Sequence, residues 1–378
     1  MNFLIAPNAM KGALTAQKIA VILAKTLRRK YRDAEIVSSP IADGGNGTLE
    51  CLMNALGGTI YEKEVTGPIP SLKVKARYGI TDNHVAVIES ADAIGLHLLS
   101  PSPETIAQST SRGVGELILA ALEQSCSEIL IGLGGTATND GGAGMAQAIG
   151  VSLLDQHHEP LREGNIALLQ LNKIVSGKNI TENCKMMILS DVQNKLLGDN
   201  GATYTFAKQK GASEDQLPYL EAAMKNFSEI VQRDLNSNCS DTPGSGAAGG
   251  LAFGLMTFCN AGIVSGIDHI LDTISFDDKL AACDCVITTE GMLDEQTLFG
   301  KGIAGIAWRA KKFGKPVHAF AGRVNGDADK LKSLLGLASL TQISPEELDT
   351  QQAMRDASWL LADAVFHHSF SATQTGGI

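Results

Sequence analysis

Five short stretches of the chain follow an apolar run with glycine mixed among Asp, Asn, Thr or Lys. They are Asn8-Ala-Met-Lys11-Gly12, Ala42-Asp43-Gly44-Gly45-Asn46-Gly47, Gly132-Leu-Gly134-Gly135-Thr136-Ala-Thr138-Asn139-Asp140-Gly141-Gly142, Ser190-Asp191-Val192-Gln-Asn194 and Thr289-Glu290-Gly291-Met-Leu293-Asp294. Glycine lets the backbone approach a ligand and turn its N–H groups toward an anion. A carboxylate at such a place can hold Mg²⁺, which keeps several waters and bridges phosphate oxygens. Lysine adds a point charge for a phosphate or a carboxylate. Together these are the parts of a phosphoryl-transfer site. One glycine loop is ordinary turn chemistry; five of one design, most with an acid, point to a shared ligand. A further run, Gly244-Ser-Gly246-Ala-Ala-Gly249-Gly250, fits an anion at a helix N-terminus and close helix packing equally well.

Loops of this kind must be positioned by strands, because ligands of parallel sheets bind beyond the strands' carboxyl ends. Phe3–Ala6, Glu35–Val37, Glu128–Ile131, Met186–Leu189, Cys285–Thr288 and Val317–Phe320 read as such strands. Thr15 is a good N-cap for a helix carrying Ile19, Ile22, Leu23 and Leu27. Further helices are predicted from Thr48 and over roughly 113–124, 213–235, 301–313 and 346–370. Between Gly58 and Ile88 the pattern changes: Leu72, Val74, Ala76, Tyr78 and Ile80 alternate with polar residues and turn at Asp82-Asn83, as antiparallel strands do. The sequence thus predicts an α/β protein whose first domain, 1–60 plus 284–378, is interrupted by a second, mixed domain over 61–283. Gln374–Ile378 is expected to fray.

Composition narrows the function. The 378 residues include 31 Lys+Arg and 41 Asp+Glu, a net charge of −10, so no basic face awaits a nucleic acid. A hydrophobic share of 44% excludes global disorder. No apolar run reaches the roughly 18–20 residues of a membrane span, and Met1–Pro7 has no export leader. A cytoplasmic protein is expected, with its seven scattered cysteines reduced. Only Cys283 and Cys285 lie close, which is poor zinc spacing. Two nucleotide motifs fail. Gly300-Lys301 is followed by Gly302, and Glu295 stands where a P-loop needs its first glycine. Gly132-x-Gly134-x-x-Ala137, with Asp155 beyond, matches the loose dinucleotide fingerprint, but Thr138–Gly142 is a poor first helical turn. An NAD-dependent oxidoreductase is therefore the weaker alternative.

Taken in order, these runs resemble the class I glycerate kinase family over nearly the whole chain. The likeness rests on Ala6-Pro7 with Lys11-Gly12, Ala42–Gly45 with Gly47-Thr48, and Gly132–Gly135 through Thr138–Met145. It extends through Ser190-Asp191-Val192, Lys208–Ala212, Gly246–Gly250, Gly266-Ile267-Asp268, and Glu290-Gly291 with Leu293-Asp294 and Gln296-Thr297. The resemblance implies two α/β domains, one flavodoxin- or Rossmann-like with a doubly wound parallel sheet and one restriction-endonuclease-like with a mixed sheet, the site lying in the cleft between. It implies Mg²⁺-assisted transfer of the ATP γ-phosphate to a hydroxyl of D-glycerate, giving 2-phosphoglycerate, or 3-phosphoglycerate in some related kinases. On that basis Asp191, Lys11 and Asp43 are the expected catalytic residues. Gly44, Gly45, Gly134, Gly135, Thr136, Asn139, Asp140, Glu290 and Asp294 are expected to bind substrate or nucleotide, and Asp43, Asp191 and Asp294 to hold Mg²⁺. Glycerate or a related hydroxy acid and ATP are the expected partners, with no nucleic acid or membrane; a homodimer is compatible with this reading. Three charged positions of the family pattern are neutral here. Asn8 stands in place of Asp, Asn46 in place of Glu and Met292 in place of Arg, and Thr289 replaces a glycine. A kinase of another small hydroxy acid, or a weakly active metabolite-binding homologue, are the alternatives these departures raise.

Overall fold

The computed structural model describes residues 1–177, 180–294 and 302–371. In chain order the strands are β1 (Asn2–Ile5), β2 (Glu35–Ser38), β3 (Thr59–Thr66), β4 (Lys73–Ile80), β5 (Val85–Glu89), β6 (Glu128–Gly132), β7 (Ser152–Leu154), β8 (Lys173–Val175), β9 (Lys185–Leu189), β10 (Gly262–Val264), β11 (Cys285–Leu293), β12 (Val317–Val324) and β13 (Ser339–Gln342). A five-stranded sheet has the order β13-β12-β11-β1-β2, with every pair parallel. A six-stranded sheet has the order β10-β9-β6-β5-β4-β3, while β7 and β8 pair by themselves. The chain is α/β, with one parallel and one mixed sheet, as its strand–loop–helix rhythm predicts.

Two compact units carry these sheets: Met1–Asp43 with Ile267–Ile378, and Gly44–Gly266. The sequence places the joins at 60/61 and 283/284; the segments that differ hold the helices Thr48–Leu56, Gly266–Thr273 and Phe276–Ala282. Thr48–Leu56 lays Leu49 and Met53 so tightly on Gly79 of β4 that a Cβ there would meet the Met53 sulfur at 2.2 Å. It therefore packs with the mixed sheet. Phe276–Ala282 packs on β1, with Phe276 and Leu280 fully buried, and so goes with the parallel sheet.

In the first unit Thr15 caps the Ala16–Lys30 helix, its hydroxyl accepting from the Lys18 N–H at 3.3 Å. Ile19, Leu23 and Leu27 of that helix bury with Phe3 and Ile5 of β1, Cys285 and Ile287 of β11, and Leu361 and Val365 of the Thr350–His367 helix. Leu4 and Val286 point the other way and are equally buried, beneath Phe276–Ala282 and Gly302–Lys312. Burying each such side chain contributes about 1.5–3 kcal/mol, and both sheet faces are covered.

In the second unit β3–β4 and β4–β5 are antiparallel, as the period-two alternation predicts. The pairs β5–β6, β6–β9 and β9–β10 are parallel. Ile88, Ile118, Ile131, Phe227 and Phe253 anchor its core. The long predicted helices appear at Arg112–Glu123 and Leu217–Leu235. Among the described residues no helix is long and apolar enough to cross a membrane. Gln296-Thr297, Gly300-Lys301 and the Gln374–Ile378 tail lie outside the described residues.

Candidate active site

The parallel strands of the mixed sheet end level with one another. Glu89 of β5 is in register with Gly132 of β6, Gly132 with Leu189 of β9, and Leu189 with Val264 of β10. The loops that follow therefore start side by side at one sheet edge. The Gly44-Gly45 turn sits on the same edge. A Cβ on Gly44 would lie 2.5 Å from the Leu189 carbonyl, and one on Gly134 would lie 2.4 Å from the Gly45 Cα. Gly134 N–H donates to the Gly44 carbonyl at 3.1 Å. At these two positions only glycine lets the backbones meet. Gly135 is exposed beneath the Asn46 amide, and its φ of +77° suits glycine.

Behind this glycine surface the loop is held by buried polar groups. Asp140 is fully buried and accepts from Ser111 N and Oγ at 2.8 Å each, from Gly144 N at 3.0 Å and from Gly142 N at 3.1 Å. Burial raises its pKa, and these donors oppose the rise. Asn139 is also fully buried: its Nδ2 donates to Thr203 Oγ1 at 3.3 Å, while its Oδ1 has no partner among the described residues. The Lys210 ammonium is buried as well. It donates to the Thr138 carbonyl at 2.7 Å and to Thr136 Oγ1 at 3.4 Å. Burial pulls its pKa down to about 7, against the attraction of Asp140. Thus Thr136, Asn139 and Asp140 support the Gly134–Gly142 loop from inside, and Gly134 and Gly135 form its outer face.

Asp191 lies two residues beyond the end of β9 and is partly buried; Ser265, just after β10, donates its hydroxyl to Asp191 Oδ1 at 2.8 Å. Glu89, at the end of β5, accepts from the Gly47 and Leu49 N–H groups at 3.0 and 3.3 Å. It thereby caps the Thr48–Leu56 helix, whose own Gly47 has no side chain to do so. Burial first, then repulsion from Asp92 and Glu50, pushes the Glu89 carboxyl up to about 8. The run Gly244–Gly250 packs closely against the Gly134–Gly142 loop. Ala248, Gly249 and Gly250 all have positive φ, and a Cβ on Gly249 would lie 2.0 Å from the Thr138 carbonyl.

In the parallel-sheet unit, Glu290 lies in β11 near its carboxyl end. Asn8 Nδ2 donates to its Oε2 at 3.1 Å, and the Gly291 N–H to its Oε1 at 3.3 Å. Burial and the nearby Asp43 push Glu290 up to about 7, while Asn8, Lys11 and the Gly291 N–H pull it down. Lys11 is exposed; Asp43 and Asp294 are partly buried. Thr289 Oγ1 donates to the Asn8 carbonyl at 2.7 Å, tying the first and last loops of this unit together. Among the described residues no three His, Cys, Asp or Glu side chains gather as a metal cluster. Mg²⁺ does not need one, since one or two carboxylates and substrate phosphates hold it.

A model of the glycerate kinase family matches residues 3–368. The chain belongs to the glycerate kinase family. It is 41% identical over 330 residues to a glycerate 2-kinase of Escherichia coli (strain K12), covering 86% of each chain. It is 39% identical over 361 residues to a glycerate kinase of Bacillus subtilis (strain 168), covering 95% of this chain and 94% of that one. A crystal structure from Salmonella typhimurium LT2, provisionally named glycerate kinase 2, superposes with a TM-score of 0.80 at 36% identity, covering 97% and 96% of the two chains. The protein is thus a member of a phosphotransferase family, and the departures from the family pattern have definite places. Asn8 is a buried donor to Glu290, Asn46 lies over Gly135, and Met292 is 55% exposed at the end of β11.

Three residues stand out that the loop pattern does not single out: Glu89, Lys210 and Ser265. Glu89 carried a readable signal, an acid closing the apolar run Val85–Ile88. Lys210 lies in the family-like run Lys208–Ala212. Nothing local marks Ser265.

Proposed function

We propose that this chain transfers the γ-phosphoryl group of ATP to a hydroxyl of D-glycerate and releases 2-phosphoglycerate, with Mg²⁺ bound to the nucleotide. The observation that carries this reading is the level row Glu89–Gly132–Leu189–Val264. It lines up the Gly44-Gly45 turn, the Gly134-Gly135 surface and Asp191 on one edge. Such an edge lets glycine backbone come close to an anion beside a carboxylate that can orient a hydroxyl. Asp191, aimed by Ser265, is the group we assign to the acceptor hydroxyl and its proton. Lys11 supplies positive charge toward a phosphate. Asp43 and Asp294 are the carboxylates we assign to Mg²⁺, together with waters and phosphate oxygens. The ion would neutralise the charge that develops on the transferring group.

The test is an ADP-release assay of the full chain against a panel of small hydroxy acids beginning with D-glycerate, with phosphorus NMR separating the 2- from the 3-phosphate. ADP release only with acceptor present, and most rapid with D-glycerate, is the expected result. Another acid preferred over glycerate would shift the substrate while keeping the chemistry, an outcome the exposed Met292 makes worth including. Asp191→Asn is expected to lower kcat by about 10²–10³, by analogy with the loss of one transition-state donor. A change under about threefold removes Asp191 from the mechanism.

A further inference from the structure

An acid substrate needs a cation for its carboxylate, and arginine provides it best because its fork matches two oxygens at once. Position 292, at the carboxyl end of β11, is an apolar and exposed methionine. The neighbouring strand β12 places Arg323 directly in register with Met292, just as it places Ala321 beside Glu290. Residues in register on neighbouring strands leave a sheet on the same face, as do residues two apart on one strand. Glu290, Met292 and Arg323 therefore share one face at the carboxyl end of the parallel sheet. Arg323 is partly buried and donates from Nη2 to the Leu348 carbonyl. Among the described residues it forms no ion pair, whereas Arg77, Arg112, Arg233 and Arg309 each have an acidic partner. A guanidinium has five donors; the Leu348 carbonyl steadies the group and leaves the rest of the fork for an anion. Lys11, a cation near Glu290, is exposed and compact, which suits a phosphate.

We propose that Arg323 is the specificity-determining residue that docks the substrate's carboxylate, taking from β12 the part that Met292 cannot play from β11. The proposal rests on the kinase reading above and deepens it. The full-length chain is compared with Arg323→Met, Arg323→Lys and the double variant Met292→Arg/Arg323→Met, each assayed with D-glycerate and with glycerol, its analogue without a carboxylate. KM for D-glycerate is expected to rise about 10- to 100-fold in Arg323→Met, the effect of losing a charged hydrogen-bonded contact. KM for ATP and the melting temperature stay near the parent values, and the preference for glycerate over glycerol collapses. Arg323→Lys recovers part of the loss, and moving the guanidinium one strand across in the double variant recovers more than half of it. If KM for D-glycerate rises less than about threefold, or KM for ATP rises with it, the docking role is overturned while the kinase reading stands. A parent enzyme that releases no ADP with any acceptor overturns both.

Discussion

The Glu290 carboxyl is held near the middle of the physiological range by opposing groups. Burial and Asp43 disfavour its charge, while the Asn8 amide at 3.1 Å, Lys11 and the Gly291 N–H favour it. With its pKa at about 7, the ionised form is lost as pH falls through neutrality. If Glu290 faces the reactants as a carboxylate, kcat/KM has an acid limb near 7. Asn8→Asp replaces a donor by a second acid, so the limb moves to higher pH and activity at pH 7 falls. Rate profiles of the parent and Asn8→Asp between pH 5.5 and 9 check this. Coinciding acid limbs would mean that Glu290 carries no charge relevant to turnover. Met292 and Arg323 pose the same residue-scale question: a charge can move between adjacent strands while the sheet edge keeps its chemistry.

At the scale of elements, the Gly134–Gly142 loop works because its interior is filled by polar groups from distant parts of the chain. Lys210 is one, and its replacement separates support from stability. Lys210→Met removes a buried ammonium whose desolvation is already costly, but it leaves the Thr138 carbonyl without its donor. These effects oppose each other in folding, so the melting temperature should change by less than about 5 °C. The loosened loop should lower kcat/KM by about tenfold or more. Thermal scans beside steady-state rates test this, and a variant with parental kcat/KM would reduce Lys210 to packing. The same elements show what the sequence could disclose. The five loops were legible because an apolar run followed by glycine and acid is a local pattern. The alternation through β4 likewise announced its antiparallel pairing with β5. The direction in which Asn139 and Asp140 point was not legible, since that depends on Ser111 and Thr203, far along the chain. β3 itself was not placed, since Glu62, Lys63 and Glu64 interrupt the apolar alternation that marks β4. Thr48–Leu56 reads as part of the first domain by sequence order, and only its packing on Gly79 moves it to the second unit.

The whole molecule offers a readout in its seven reduced cysteines, which are spread over both units. Cys283 and Cys285 lie in the parallel-sheet unit; Cys51, Cys126, Cys184, Cys239 and Cys259 lie in the other. Six of the seven are buried, and Cys239 alone is partly open, its sulfur 3.5 Å from Ser237 Oγ. Burial pushes the Cys184 thiol up to about 11 and those of Cys259 and Cys285 up to about 12, so even a solvent-touched sulfur there would be slow. A thiol reagent added to the native chain at pH 8 should therefore modify Cys239 quickly and the other six only as fast as the units open. All seven should react at once in denaturant. Peptide mapping of partly labelled protein then reports each unit separately, through Cys285 for one and Cys259 for the other. If both label at the same rate as urea rises, the two units unfold together, whereas early labelling of one names the less stable unit. Three or more fast thiols in the native chain would contradict the packing of both sheets, and with it the level strand ends on which the glycine loops rest.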